Sequence, residues 1–228
     1  MTSFLRPLVS RYRDRRHAGR VLAAALAEFG PPHDSVILAL PRGGVPVGFE
    51  VAAALHAPLD VFVVRKLGLP GHPELAMGAI ASGGTRVLND DVVRWYGLTH
   101  EDIEAVTRAE LQELARREAE YRGGRELIPV AGRIAILVDD GLATGATMHA
   151  AVAALRTLNP LRVIAAAPVG APETCWKLRS VADDVVCPLT PEGFTAVGLW
   201  YEDFNQTSDH EVRLYLAEAN AGSTRAAS

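Results

Sequence analysis

Cysteine is nearly absent: Cys175 and Cys187 are the only two among 228 residues. So few thiols exclude a disulfide scaffold and a thiolate zinc site, and leave both as packing residues. The seven histidines show no His-x-x-x-His spacing with a third partner, so a zinc held by the protein is not expected. No apolar run approaches the ~20 residues that cross a bilayer, and the N-terminus has no signal-peptide core, so cytoplasmic residence without membrane contact is expected. An excess of one charge is also lacking. The 23 basic and 27 acidic residues leave a net −4, which argues against broad nucleic-acid binding, and no helix-turn-helix is recognisable. No Gly-x-Gly-x-x-Gly turn opens the first strand–helix unit, which removes a dinucleotide-dependent oxidoreductase. Repeats, linkers and low-complexity tracts are missing, so residues 1–228 read as a single domain.

What is present is an alternation of apolar strands and helical stretches. With 49% hydrophobic residues the chain can bury a sizeable core. Asp14 can cap a helix running to about Phe29, where Gly30 and two prolines end it. Ser35 to Leu40 reads as a strand, Gly43 to His56 as a helix and Leu59 to Val64 as a second strand, so a parallel βαβ unit is expected. A loop from Gly68 to Pro73 precedes a hairpin of Ala76–Ala81 and Thr85–Leu88 joined by Ser82-Gly83-Gly84. Thr99 and Asp102 form a capping box for a charged helix to about Tyr121, part of a helical insertion over about residues 89–125. Arg133–Asp140, Arg162–Val169 and Asp184–Leu189 are further strands, with Thr144–Leu158 as the helix after the first of them. Pro172 opens another helix, and Ser208 with Glu211 caps the last. Near the start, Arg6, Arg11, Arg13, Arg15, Arg16 and Arg20 concentrate positive charge. Such a run is ordinarily a solvated helix face, and its sharper reading is that some members lean toward an anionic ligand.

The most informative stretch is Ile136-Leu-Val-Asp-Asp-Gly-Leu-Ala-Thr-Gly-Ala-Thr147. The strand should deliver Asp139 and Asp140 to the carboxyl edge of a parallel sheet, where ligands bind in open α/β folds. Gly141, Ala143, Thr144, Gly145, Ala146 and Thr147 then expose backbone N–H groups at a helix N-terminus, which suits a phosphate dianion. Two carboxylates beside a phosphate nest would repel a bare phosphate. A ligand with both a phosphate and a vicinal diol resolves the conflict, because the acids accept from its hydroxyls. Ribose 5-phosphate has that pattern.

This string resembles the signature of the type I phosphoribosyltransferase family, which binds phosphoribosyl pyrophosphate, and is nearest to the adenine branch. The resemblance implies a doubly wound parallel sheet of that type, with the helical insertion and a small C-terminal hood over about residues 190–206. Leu40-Pro41-Arg42-Gly43-Gly44 looks like the family's pyrophosphate loop, where a cis non-proline peptide is expected near Arg42-Gly43. Val63-Val64-Arg65-Lys66 resembles the strand end whose basic pair meets the pyrophosphate, a sensible counterpart for an anionic leaving group. Tyr201 and Phe204, in the cluster Phe194, Trp200, Tyr201, Phe204, are the candidate hood residues that stack an acceptor base.

The activity so implied is transfer of the 5-phosphoribosyl group to a nitrogen acceptor, such as a nucleobase, with release of pyrophosphate. Asp139, Asp140, Arg65 and Lys66 are the expected catalytic groups; Arg42, Gly43, Gly44 and the phosphate loop bind substrate. Mg²⁺ is expected beside Asp139 and Asp140, held mostly by substrate and water. A homodimer is implied by the family only. Two departures stand out. Ala143 occupies a position that carries an aspartate in the hypoxanthine branch, and Ala76 one that carries a glutamate in the adenine branch. Those absences favour a second reading, a regulator that binds phosphoribosyl pyrophosphate or a nucleotide without catalysis. The Arg65-Lys66 pair and the Pro-Arg-Gly-Gly loop oppose it, since a sensor of the 5-phosphate needs no leaving-group site.

Overall fold

The computed structural model describes residues 11–27 and 34–226. The expected helix end at Phe29 and its prolines, and Arg6, lie outside the described residues. Asp14 caps α1 (Arg15–Leu26) as expected, its side chain accepting from the amide of His17 at 2.7 Å.

Five short apolar segments build the parallel sheet: β1 (Ser35–Ala39), β2 (Leu59–Val61), β6 (Ile134–Val138), β7 (Arg162–Ala166) and β8 (Asp184–Val186). Their spatial order is β2-β1-β6-β7-β8, and Ile37, Ile136 and Ile164 lie in one register across it. Strands covered on both faces must be apolar at every position. Here alternate residues enter two cores. Ile37, Ala39, Ile136, Val138, Ile164 and Ala166 meet α1, α2 (Gly44–Leu55), α4 (His100–Arg122) and α7 (Asp209–Ala226). Val36, Leu38, Ala135, Leu137, Val163 and Ala165 meet α5 (Ala146–Arg156) and α6 (Pro172–Leu178). The sheet is therefore doubly wound.

A second, antiparallel sheet joins β3 (Val64–Leu69), β4 (His72–Ala81) and β5 (Thr85–Leu88). Around this sheet two boundaries differ from the sequence reading, while β6, β7, β8 and α5 are each a few residues shorter than expected. The strand expected through Val64 breaks after Val61, and Val64 opens a new strand that pairs with Ala81. The stretch from Gly68 to Pro73, expected as a loop, is the tip of the β3–β4 hairpin turning at Gly71, which has φ +78°. The apolar pattern is too sparse there to signal a strand, because cross-strand main-chain pairing rather than side-chain burial holds the tip.

Between β5 and β6 in the chain come α3 (Asp90–Trp95) and α4. The capping box forms in full: Asp102 N–H donates to Thr99 Oγ1 at 3.1 Å, and Thr99 N–H donates to Asp102 Oδ2 at 3.0 Å. At its far end, Arg122 is buried and bonds Asp60 Oδ1 at 3.0 Å, the Val61 carbonyl at 2.6 Å and Ser82 Oγ at 3.1 Å. A buried guanidinium with all these partners ties α4 to β2 and to the base of the hairpin. Among the described residues no helix is long and apolar enough to cross a membrane.

Candidate functional site

The apolar run of β6 stops at Val138, and the two acids that follow cannot continue into either core. They emerge half-buried at the carboxyl edge of the sheet. Asp139 makes the last ladder bond, its amide donating to the Ala166 carbonyl at 3.1 Å, and its Oδ1 accepts from the Asp140 amide at 2.8 Å. The turn that follows is stapled to the segment after β7: Leu142 N–H donates to the Val169 carbonyl at 2.9 Å, Ala171 N–H to the Leu142 carbonyl at 2.8 Å. Thr174 of α6 donates its hydroxyl to the Ala143 carbonyl at 2.6 Å. Gly145 then enters α5 with φ +71°, where a side chain would be strained and a Cβ would stand 2.5 Å from Thr174 Cγ2. Asp139 and residues 141–148 together line a cavity of about 140 Å³ at the start of α5. Main-chain amides and the positive end of the helix make it an anion cradle.

Across the acids lies the turn from β1 into α2. A Cβ on Gly43 would meet Asp140 Oδ2 at 2.0 Å, and one on Gly44 would meet the Val138 carbonyl at 2.4 Å. Only glycine lets this loop press against the acid pair. The peptide between Pro41 and Arg42 is cis, one bond before the position expected from sequence. Arg42 itself reaches away, its Nη1 lying 3.6 Å from Asp209 Oδ2 on α7.

Burial raises the Asp139 carboxyl well above the ordinary carboxylate range, and the neighbouring Asp140 raises it further. Burial also raises Asp140, but the Arg15 guanidinium opposes that shift. Arg15 Nε donates to Asp140 Oδ2 at 2.8 Å, and Nη1 donates to the Asn205 carbonyl at 2.6 Å. Its carbon stands 3.9 Å over the centre of the Phe204 ring. Sequence reading placed Arg15 only within a run of arginines. Arg11 of the same run bonds the Tyr201 carbonyl at 2.7 Å, while Arg16 and Arg20 pair with Glu50 on α2.

Tyr201 does not present an open stacking face. It is 1% exposed, its ring packs against Tyr12 at 5.5 Å, and its hydroxyl donates to the Asp140 carbonyl at 2.5 Å. The aromatic cluster behind it is a small core of Tyr12, Val169 and Leu189, with Phe194 and Phe204 against it. The ring closes the sheet edge because apolar area is better removed from water there. Phe204 is half-buried, with one face under Arg15.

Arg65 and Lys66 stand on β3. Arg65 Nε donates to Glu110 Oε2 of α4 at 2.8 Å, and Lys66 Nζ donates to the Glu74 carbonyl at 2.8 Å. Lys66 also lines a 350 Å³ cavity between the antiparallel sheet and α5, which includes Thr147 and so adjoins the anion cradle. The site thus has an anion cradle, an adjacent acid pair, a glycine turn pressed on the acids, and cations held at its margin by other elements. Among the described residues no three acids, histidines or cysteines gather as a metal cage.

Comparison with known proteins agrees with this geometry. The phosphoribosyl transferase domain pattern matches residues 14–201, from the cap of α1 to Tyr201. The chain belongs to the phosphoribosyl transferase family. A Mycobacterium tuberculosis protein named as a candidate phosphoribosyl transferase, known from two strains, is 52% identical over 207 residues, covering 91% of this chain and 46% of the relative. The chain therefore spans about half the length of the curated relatives it matches. The crystal structure of TT1426 from Thermus thermophilus superimposes with a TM-score of 0.83 at 43% identity, covering 91% of this chain and 98% of that one. The phosphoribosyl transferase match takes in the acids, the cradle, the Pro41–Gly44 turn and the Arg65-Lys66 pair. It also takes in Arg15. One local signal could have singled that residue out: Arg15 and Arg16 sit in the first turn of a helix that has no acid there, the reverse of what the helix dipole favours.

Proposed function

We propose that this protein transfers the 5-phosphoribosyl group from phosphoribosyl pyrophosphate to a nitrogen acceptor and releases pyrophosphate. The observation that carries the reading is the acid pair Asp139-Asp140 standing beside an amide-lined cradle. That juxtaposition fits one ligand pattern, a phosphate and a diol on a single pentose. The amides from Ala143 to Thr147 hold the 5-phosphate, with the Thr144 and Thr147 hydroxyls assisting. Asp139 and Asp140 accept from the ribose hydroxyls. Arg42, Arg65 and Lys66 neutralise the departing pyrophosphate, exchanging their present partners for it. Charge develops on the ribose ring and on the leaving group, so fixed dipoles and cations at those two places supply most of the catalysis. The cytoplasm is the compartment proposed for this reaction.

Two carboxylates, one of them already paired with Arg15, are too few oxygens for a Mg²⁺ cage, but they suit an ion that arrives with phosphate oxygens and water around it. Asp139 and Asp140 would then stand beside that ion, which would offset charge on the pyrophosphate. Assembly as a homodimer belongs to the same proposal and is checked by light scattering on the eluting protein.

The deciding experiment measures pyrophosphate release from Mg²⁺ phosphoribosyl pyrophosphate with a deproteinised cell extract as acceptor source. Mass spectrometry identifies new phosphoribosylated products, and the Asp139→Asn/Asp140→Asn double variant is the control. A product that disappears in the control is expected. Donor binding with no release against any acceptor pool would instead mark a donor-binding regulator, the reading favoured by alanine at positions 76 and 143. No donor binding at all would overturn both.

A further inference from the structure

Arg15 occupies a place that helix stability does not explain. It opens α1, whose first turn contains no acid, although a helix N-terminus disfavours cations. Its plane is fixed on three sides, by Asp140 Oδ2 at 2.8 Å, the Asn205 carbonyl at 2.6 Å and the Phe204 ring at 3.9 Å. Only 11% of its side chain is exposed. A guanidinium carries five N–H groups and no acceptor. Two are used here, and the Nη2 edge has no acceptor among the described residues. That edge is not among the sealed, unpaired nitrogens, so it keeps access to solvent.

The carbonyls of the same wall are engaged internally. The Asp140 carbonyl accepts from Tyr201, the Tyr201 carbonyl from Arg11, and the Asn205 carbonyl from Arg15 itself. Beside Asp140 these three main-chain acceptors are engaged, while the Nη2 donors of Arg15 are not. Phe204, the expected stacking surface, has one face taken up by this cation.

We propose that Arg15 is a specificity-determining residue, selecting an acceptor whose ring carries a carbonyl or carboxylate oxygen over one that presents an amino group in its place. The inference rests on the transferase reading above and names the acceptor class for it. A flat guanidinium edge pairs directionally with such oxygens. An amino edge set against it would leave donors of both partners unpaired, and mismatches of that kind discriminate far more strongly than a missing methylene.

The test uses the full chain with phosphoribosyl pyrophosphate and Mg²⁺, and ring-matched acceptors: hypoxanthine against adenine, uracil against cytosine, with orotate as the carboxylated probe. Pyrophosphate release should favour the oxo or carboxy member by about tenfold to a hundredfold in kcat/KM, the size expected for a hydrogen bond to a charged group. Arg15→Gln should bring that ratio toward one, while Arg15→Lys, which keeps charge and donors, should retain part of it. The ratio is the telling quantity, since damage to the fold lowers both members alike. Preference for the amino members, or an unchanged ratio in Arg15→Gln, overturns the role of Arg15 while leaving the transferase intact. If the donor binds but neither set reacts, the extract assay above decides on the transferase, and calorimetric binding of the same pairs in wild type and Arg15→Gln decides on Arg15. Equal binding of the pairs there, or no donor binding at all, overturns the proposal.

Discussion

At the phosphate end of the site, residues 141–147 are held by main-chain bonds to the segment after β7 and by one threonine from α6. At the opposite end Arg42, Arg65 and Lys66 are each held by a group from elsewhere: Asp209, Glu110 and the Glu74 carbonyl. The first end is complete without a ligand, because its donors are amides fixed by the fold. The second end has its charges in place but committed to other partners, in pairs that are partly exposed and therefore weak. A preformed cradle lowers the ordering cost of binding, whereas cations that exchange partners can take up a leaving group and let it go again. Under the proposed transfer, the difference would give affinity for the donor to one end and handling of pyrophosphate to the other.

The sharpest way to break this comparison is to free the hairpin at its base. Arg122 and Asp60 form a buried pair whose side chains are 4% and 6% exposed, and removing one partner leaves the other charge uncompensated. Arg122→Ala should cost about 3–5 kcal/mol of unfolding free energy in urea titrations. A cost below about 1 kcal/mol would mean that the hairpin carrying Arg65 and Lys66 has no firm root. Next in size is Gly43→Ala. Its Cβ would sit 2.0 Å from Asp140 Oδ2 and 2.6 Å from Cγ, and Asp140 is pinned by Arg15. Calorimetry should show donor affinity reduced about 100-fold, equivalent to about 2.7 kcal/mol, with a smaller change in stability. Affinity near wild type would show that Asp140 can move aside, and that the phosphate end is less rigid than its bonds suggest.

A smaller effect separates the acids. Burial and Asp140 raise Asp139 in the folded protein, so from the ordinary carboxylate value of about 3.9 upward the native state holds a proton that the unfolded chain has lost. Stability contributed at this residue must then fall as pH rises, until the raised folded value is passed. Asp139→Asn should abolish that slope and, at pH 7, stabilise the unliganded protein by on the order of 1 kcal/mol. Melting curves of both proteins from pH 4 to 8 check it. Parallel curves would show that Asp139 is not held in a costly environment.

How much of this was legible in the sequence follows the same division. The strand-acid-glycine order of residues 136–147 states its own geometry, because an apolar strand, a turn and a helix leave the acids and amides one arrangement at a sheet edge. The glycines at 43 and 44 were legible as a close-approach turn, though the residues they press against, Asp140 and Val138, lie 97 and 94 positions onward. Tyr201 misled because aromatic composition does not distinguish a ring that seals a sheet from one that meets a ligand. Arg15 was hidden for a related reason: its partners, Asp140 and Asn205, are 125 and 190 residues away. Long-range ion pairs leave no periodic trace, and only the missing first-turn acid hinted at the role.

The smallest effect tests the leaving-group end directly. Arg65 meets Glu110 Oε2 through Nε at 2.8 Å and Nη2 at 2.6 Å, with side chains 27% and 26% exposed. Such a pair contributes about 0–1 kcal/mol, so Glu110→Gln should leave the melting temperature almost unchanged. Freed of its carboxylate, Arg65 no longer has to give up a charged partner before meeting pyrophosphate. The inhibition constant of pyrophosphate should fall by a factor of about 2–5, within the roughly 1 kcal/mol that the pair holds, and the gain should shrink as salt screens both charges. An unchanged constant would mean that Arg65 keeps its place on α4 while the leaving group departs. Handling of pyrophosphate would then rest on Arg42 and Lys66, and the contrast between a fixed end and an exchanging end would apply to those two cations alone.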